Sequence, residues 1–183
     1  VNATVPEDYF KDIGDLNYFS HPLLFKDREN AKTPSQLFQF FMSYTIARFD
    51  VSLATLLGVH QGLGHNTFLF GGSKEQVAKY VPKLQSHELR TCFALTEPDH
   101  GSDVAGGLET VAEQRGDEWV LNGAKKWIGG AHVSDVIPVF AINKATGKPH
   151  CFIVTPDQEG VDIEILENKI ALRIVPNALI HLN

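Results

Sequence analysis

Apolar residues recur at helical spacing up to about Leu89, then give way to alternating, β-rich runs punctuated by turn residues. The change predicts an α+β protein: an α-helical bundle over residues 1–89 and an antiparallel β-barrel or sandwich over residues 90–183. In the first region Thr33, Pro34, Ser35 and Gln36 read as a cap, a Pro at the first helical position and a Gln able to reach back; Leu37, Phe40, Phe41 and Tyr44 then share one face. That helix should end near Asp50. The run VSLATLLGVHQGLGHNTFLF that follows predicts a buried helix, approached closely by neighbours at Gly58 and Gly62. Gly71 and Gly72 stop it, and Ser73 with Gln76 opens a short third helix that Pro82 should terminate. Residues 1–32 hold only short polar and aromatic pieces, a cut helix or a wandering arm. Strands are predicted over 90–96, 108–115, 118–121, 136–142, 151–155, 161–166 and 179–182, joined by turns such as Gly116-Asp117. No helical segment of ten residues separates successive strands, which argues against parallel βαβ units.

With 183 residues the chain can bury roughly 70% of its unfolded surface, so it needs no disulfide or metal staple. A formal charge of −6 without a Lys/Arg cluster argues against a nucleic-acid partner. Cys92 and Cys151 lie in apolar runs and read as buried, reduced thiols of an intracellular protein. Glu7, Asp8, Asp12 and Asp15 stand where a leader would be basic, so no targeting peptide is expected in this stretch. His60, Gln61, His65 and Asn66 interrupt the longest apolar run, which argues against a membrane span.

Neither phosphate-loop motif is present, and the glycines at 58, 62 and 64 sit in an apolar helix with no preceding strand. His60 and His65 are five apart and share no helical face, so no metal site is expected. The informative segment is FALTEPDHGSD, residues 93–103, a strand that breaks into a loop dense in polar groups. Pro98 ends the strand, Gly101 lets backbone come close, and the hydroxyls of Thr96 and Ser102 can face one side. Farther on, Lys125-Lys126-Trp127-Ile128-Gly129-Gly130 sets a Trp on a strand, where a flat ring could lie against it.

FALTEPDHGSD followed by NGAKKWIGGAHVSD closely resembles the FAD-binding signatures of the acyl-CoA dehydrogenase family. ARFDVSLATLLGVHQGLG and GSKEQVAKYVPKL are similar to that family's N-terminal helical domain, and KIALRIVPNALIHL to a later part of its β domain. The nearest branch is that of glutaryl-CoA dehydrogenases and plant short-chain acyl-CoA oxidases. The resemblance implies FAD held by Phe93, Ala94, Leu95, Thr96, Gly101 and Ser102, with Leu95 and Thr96 bonding the pyrimidine ring. Trp127, Ile128 and Gly129 should pack near the isoalloxazine, and Ser102 should also reach the CoA thioester. In such enzymes a carboxylate removes the α-proton while the β-hydrogen leaves as hydride to the flavin. The implied partners are an acyl-CoA, an electron-transfer flavoprotein and further copies in a tetramer, in a bacterial cytoplasm or a mitochondrial or peroxisomal matrix.

Three departures shape the expectation. The family's catalytic Glu belongs to a C-terminal helical domain that these residues do not contain, so no catalytic residue is expected here; Glu97, beside Pro98, reads as structural. Gly129 stands where many dehydrogenases have Thr, as in acyl-CoA oxidases. Ala54 falls about where glutaryl-CoA dehydrogenases place the Arg that pairs with the distal carboxylate. The leading expectation is α,β-dehydrogenation of an uncharged acyl-CoA. An oxidase, a decarboxylating glutaryl-CoA dehydrogenase and an inactive flavin- or CoA-binding module are the alternatives.

Overall fold

The computed structural model describes residues 5–17, 19–21 and 35–183, and the chain divides into two compact units, residues 1–90 with 170–175 and residues 91–169 with 176–183.

The first unit is helical. Helix α1 (Glu7–Leu16) lies in the stretch the sequence left unread, and α2 (Gln36–Phe49) starts at Ser35, whose hydroxyl accepts from the Phe38 N–H at 3.2 Å. The expected cap at Thr33 and Pro34 lies outside the described residues. Asp50 closes α2 and opens α3 (Val51–Leu57): its N–H donates to Ile46, and its carboxylate accepts from Ser52 at 2.6 Å and Leu53 at 3.1 Å. The path continues as a π-helical stretch, Gly58–His65, into α4 (Asn66–Gly71). Helix α5 (Lys74–Gln85) begins with the expected capping box, Ser73 and Gln76 exchanging bonds of 3.2 and 2.8 Å. It runs past Pro82 to Gln85, because Val81 and Leu84 are buried and only one amide is lost. Leu56, Leu57, Phe68, Leu69, Val81 and Leu84 form the core.

The expected close approach at Gly58 and Gly62 fails here, and the stripe on α2 is present but uncovered. Leu37, Phe40, Phe41 and Tyr44 share a face of α2, but among the described residues that face is exposed. No neighbour comes within 4 Å of an added Cβ at Gly58 or Gly62. The wide π turns instead bury His60, Gln61, Gly64 and His65. Helical-period reasoning assumes 3.6 residues per turn and misplaces side chains where the pitch changes.

Those buried polar groups form a cluster. His60 donates from Nε2 to the Leu84 carbonyl at 2.9 Å and stacks on His87, ring centroids 4.4 Å apart. The Gln61 amide donates to His87 Nε2 at 3.1 Å, which leaves the His87 proton on Nδ1. Gln61 Oε1, His65 Nε2 and His87 Nδ1 are buried without partners. No group of three ligating side chains among the described residues can hold a metal ion.

The second unit is a six-stranded sheet of order β4-β3-β1-β2-β6-β5. Its strands are β1 (Val111–Arg115), β2 (Glu118–Gly129), β3 (Ile137–Asn143), β4 (Lys148–Val154), β5 (Val161–Ile165) and β6 (Asn177–Leu182). The α+β class expected is present, with two refinements: β1 pairs with β3 in parallel, and no ladder joins β4 to β5, so the sheet is not closed into a barrel. Gly116, at φ 65°, makes the tight β1–β2 turn. The expected strand over 90–96 is reduced to two isolated parallel bridges, Thr91 to Val136 and Ala94 to Val139. Strand β2 is three times its expected length, because the turn-like Asn122-Gly123 is paired on both sides: Val111 opposes Asn122 and Leu182 opposes Gly123. Cys92 is buried with its thiol pushed up to about 12 by burial, whereas Cys151 lies exposed on edge strand β4, contrary to expectation. No helix among the described residues is long and apolar enough to cross a membrane.

Burial, then the nearby His60 and His65, lowers His87 to about 3. The folded chain therefore rejects a proton that the unfolded chain accepts below about 6.5. Stability is full above that value and declines as pH falls toward about 3, by up to roughly 1.4 kcal/mol per pH unit. Urea unfolding across this range should show the decline in the wild type and a shallower one in His87→Asn, since Asn tolerates the left-handed backbone at that position (φ 57°). Equal slopes in both proteins would assign the effect to other groups.

Candidate functional site

The two sequence segments singled out above meet around one buried ion pair. Lys125, midway along β2, is 0% exposed, and its ammonium lies 2.6 Å from Glu97 Oε1. It also donates to the Leu95 carbonyl at 3.1 Å. Glu97 Oε1 further accepts from the Thr110 N–H at 2.9 Å, and Oε2 from the Glu109 N–H at 2.6 Å. Burial alone would raise the Glu97 carboxyl, but Lys125, Thr110 and the Glu109 and Thr110 N–H groups hold it below the ordinary carboxylate range. Burial pulls Lys125 down, opposed by Glu97. Both oxygens of Glu97 are committed to the fold, so it is not an available base.

Thr110 can reach this position because β2 has a glycine opposite it. A Cβ on Gly123 (φ 146°) would lie 2.7 Å from the Thr110 backbone. Main chain adds a second tie, the Lys126 N–H donating to the Thr96 carbonyl at 2.8 Å. Residues 93–97 and β2 are thus held side by side.

One residue farther along, β2 carries a bulge. Between Lys125 and Ile128 it takes three steps while β6 takes two, from Ile180 to Ala178. Trp127 occupies the extra position at φ 64°, a left-handed conformation that a bulky side chain adopts only under constraint. Asn177 supplies that constraint by donating to the Trp127 carbonyl at 2.9 Å. The indole stands out of the sheet, 56% exposed, with the Lys126 ammonium 5.8 Å from its ring centroid.

Of the residues expected at the site, Thr96 is tied to the Trp127 segment through the bond from Lys126, the residue before Trp127. The Leu95 and Thr96 N–H groups and the Thr96 hydroxyl have no hydrogen-bond partner among the described residues. Phe93 is half-buried against Phe140 and Ala94 is fully buried. Ile128 points into the core and Gly129 is buried, so the open face of that motif belongs to Trp127. Gly101 and Ser102 lie exposed in the loop beyond Pro98, and no hydrogen bond or ring contact ties them to residues 127–129. Glu109 and Thr110 escaped the sequence reading, and Lys125 entered it only as part of the motif around Trp127, without its buried role. The available signal was Glu97 itself, a carboxylate after an apolar strand that needs a buried cation.

The chain's two halves match two family models, that of the acyl-CoA dehydrogenase N-terminal domain over residues 2–88 and that of the middle domain over residues 92–183. The chain belongs to the acyl-CoA dehydrogenase family. It is 35% identical over 132 residues to an acyl-CoA dehydrogenase of Bacillus subtilis (strain 168), covering 70% of this chain and 35% of that protein. Against the glutaryl-CoA dehydrogenase of Desulfococcus multivorans it is 33% identical over 153 residues, covering 82% of this chain and 39% of that protein. The chain therefore spans about a third to two fifths of these curated relatives. A crystal structure of a glutaryl-CoA dehydrogenase from Mycobacterium smegmatis in complex with FADH2 superposes with a TM-score of 0.87 at 26% identity, covering 99% of this chain and 45% of that one.

Within this acyl-CoA dehydrogenase sheet the Glu97–Lys125 pair should dominate local stability. Lys125→Met strands a buried carboxylate and should cost about 3–5 kcal/mol in chemical denaturation. Lys126→Met, one residue away on the more exposed face, should cost less than about 1 kcal/mol. Equal costs would mean that the pair carries no special weight.

Proposed function

We propose that this chain forms the flavin-holding part of an FAD-dependent acyl-CoA dehydrogenase, which oxidises a saturated, uncharged acyl-CoA to the trans-2-enoyl-CoA and passes electrons to an electron-transfer flavoprotein. The observation that carries the reading is the pairing of open donors at Leu95 and Thr96 with the constrained, exposed indole of Trp127 on the adjoining strand. These groups fit a flavin: N–H and O–H donors suit the acceptor atoms of a pyrimidine ring, and an indole face suits a flat aromatic system. When bound, FAD would supply the hydride acceptor. The chain's own contribution is to fix those donors and that face through Lys125 and Glu97.

A neutral acyl group is supported by the helical unit. It holds a cavity of about 280 Å³ lined by Met42, Ile46, Ala54, Leu57, Gln61 and His65 among others, with no Asp, Glu, Lys or Arg among the described residues of its lining. Among those described residues a distal carboxylate would find no Lys or Arg to pair with. The side-chain-free Gly129 favours one second reading, an acyl-CoA oxidase that hands its electrons to oxygen.

The test begins with the chain itself, incubated with FAD and passed through gel filtration. The wild type should retain a visible flavin band, and Trp127→Ala should weaken FAD binding about tenfold, the worth of one good stacking contact. Undiminished binding by Trp127→Ala would remove the indole from the site. In the product of the complete gene, a short-chain acyl-CoA should bleach the flavin. Peroxide formation on admitting air would instead select the oxidase.

A further inference from the structure

The loop that carries Ser102 is closed at its base by Glu97, whose carboxylate binds the N–H groups of Glu109 and Thr110. A second closure lies farther out and uses His100. Its Nδ1 is 3.0 Å from Asp103 Oδ2 and its Nε2 is 3.2 Å from Glu109 Oε1. Carboxylate oxygens accept and do not donate, so satisfying both contacts requires a proton on each ring nitrogen, which only the imidazolium has. The fold presses this arrangement together: the Glu97 N–H donates to the His100 carbonyl at 3.0 Å, and the Gly107 N–H to the Asp103 carbonyl at 2.7 Å. Gly107 approaches so closely that an added Cβ would meet both the Asp103 carboxylate and the His100 ring. Lys125, Glu97, Glu109, His100 and Asp103 thus form one continuous chain of bonds from the buried pair to the loop's outer turn. Ser102 sits between the last two.

Resting on the flavin reading above, we propose that His100 is a positioning residue: as imidazolium it pins the 97–110 loop in the shape that presents Gly101 and Ser102, and its deprotonation frees that loop, giving FAD binding an alkaline limit. The groups facing it are Asp103 in its own loop and Glu109 from the following segment, with Glu97 behind them neutralised by Lys125. Both facing groups are acidic and no cation opposes them among the described contacts. Hydrogen bonds to Asp103 and then to Glu109 raise His100 above the ordinary histidine value, so the charged form survives to higher pH than in a free imidazole and is lost as pH rises beyond its raised value. Once neutral, the ring can satisfy one carboxylate while the other is left facing it, and the loop regains conformational freedom that a ligand must remove again.

Two measurements decide this. NMR of the chain without any added ligand should show the Ser102 amide shift following the titration of the His100 ring, and a Ser102 amide that ignores that titration overturns the positioning role. Flavin fluorescence titration on either side of the His100 transition should show FAD affinity falling about threefold at the alkaline side, the scale of a partly exposed ion pair. His100→Gln should bind FAD with the weaker affinity at both pH values. A variant that tracks the wild type at both also overturns the proposal. Absence of FAD binding at every pH overturns the flavin reading and the alkaline limit together, while the Ser102 coupling still decides whether His100 positions the loop.

Discussion

A lysine with no exposure to solvent is the constraint around which the second unit is organised. Taking an ammonium and a carboxylate out of water costs several kcal/mol each, and their attraction offsets that cost only when the remaining hydrogen-bonding positions are filled. Glu97 fills them with two main-chain N–H groups, and Lys125 with the Leu95 carbonyl. The result is directional. An apolar pair of the same volume could slide along the sheet, whereas these bonds fix segment 93–97 against β2 in one register and leave the Leu95 and Thr96 donors without partners among the described residues. Thr110 and Gly123 belong to the same arrangement, since the close approach of their backbones lets the carboxylate reach both N–H groups.

The stretch before Glu97 also explains why a strand predicted over seven residues survives only as isolated bridges. Ala94 exchanges bonds with Pro138 and Phe140, but Leu95 gives its carbonyl to a side chain and Thr96 gives its carbonyl to Lys126. Ladder partners are replaced one at a time by contacts that leave N–H groups open. A regular strand would have consumed those donors.

Local chemistry written in the sequence proved the most legible. The Ser73–Gln76 box, the end of α2 at Asp50 and the Gly116 turn each rest on residues within a few positions of one another. Glu97 read correctly as a structural residue, although its partner did not. What depended on distant partners was hidden. Lys125 looks like one of two adjacent solvent-facing lysines until the sheet places it beneath Glu97, 28 residues away in the chain. The parallel pairing of β1 with β3 left no local trace, because both flanking connections are ordinary turns or loops. On α2 the apolar stripe was visible, but stripe periodicity says only that residues share a face and not that the face is covered.

The bulge at Trp127 gives the chain an optical property as well as a shape. There are two tryptophans in the sequence. Both are partly exposed, but Trp119 packs on the Phe152 ring at 5.1 Å near the β1–β2 turn, while Trp127, the more exposed of the two, stands toward the far end of the same strand. Their emission should therefore separate by environment, the red-edge signal coming from the bulge, so that the native protein carries its own reporter for anything flat and absorbing that settles on that face.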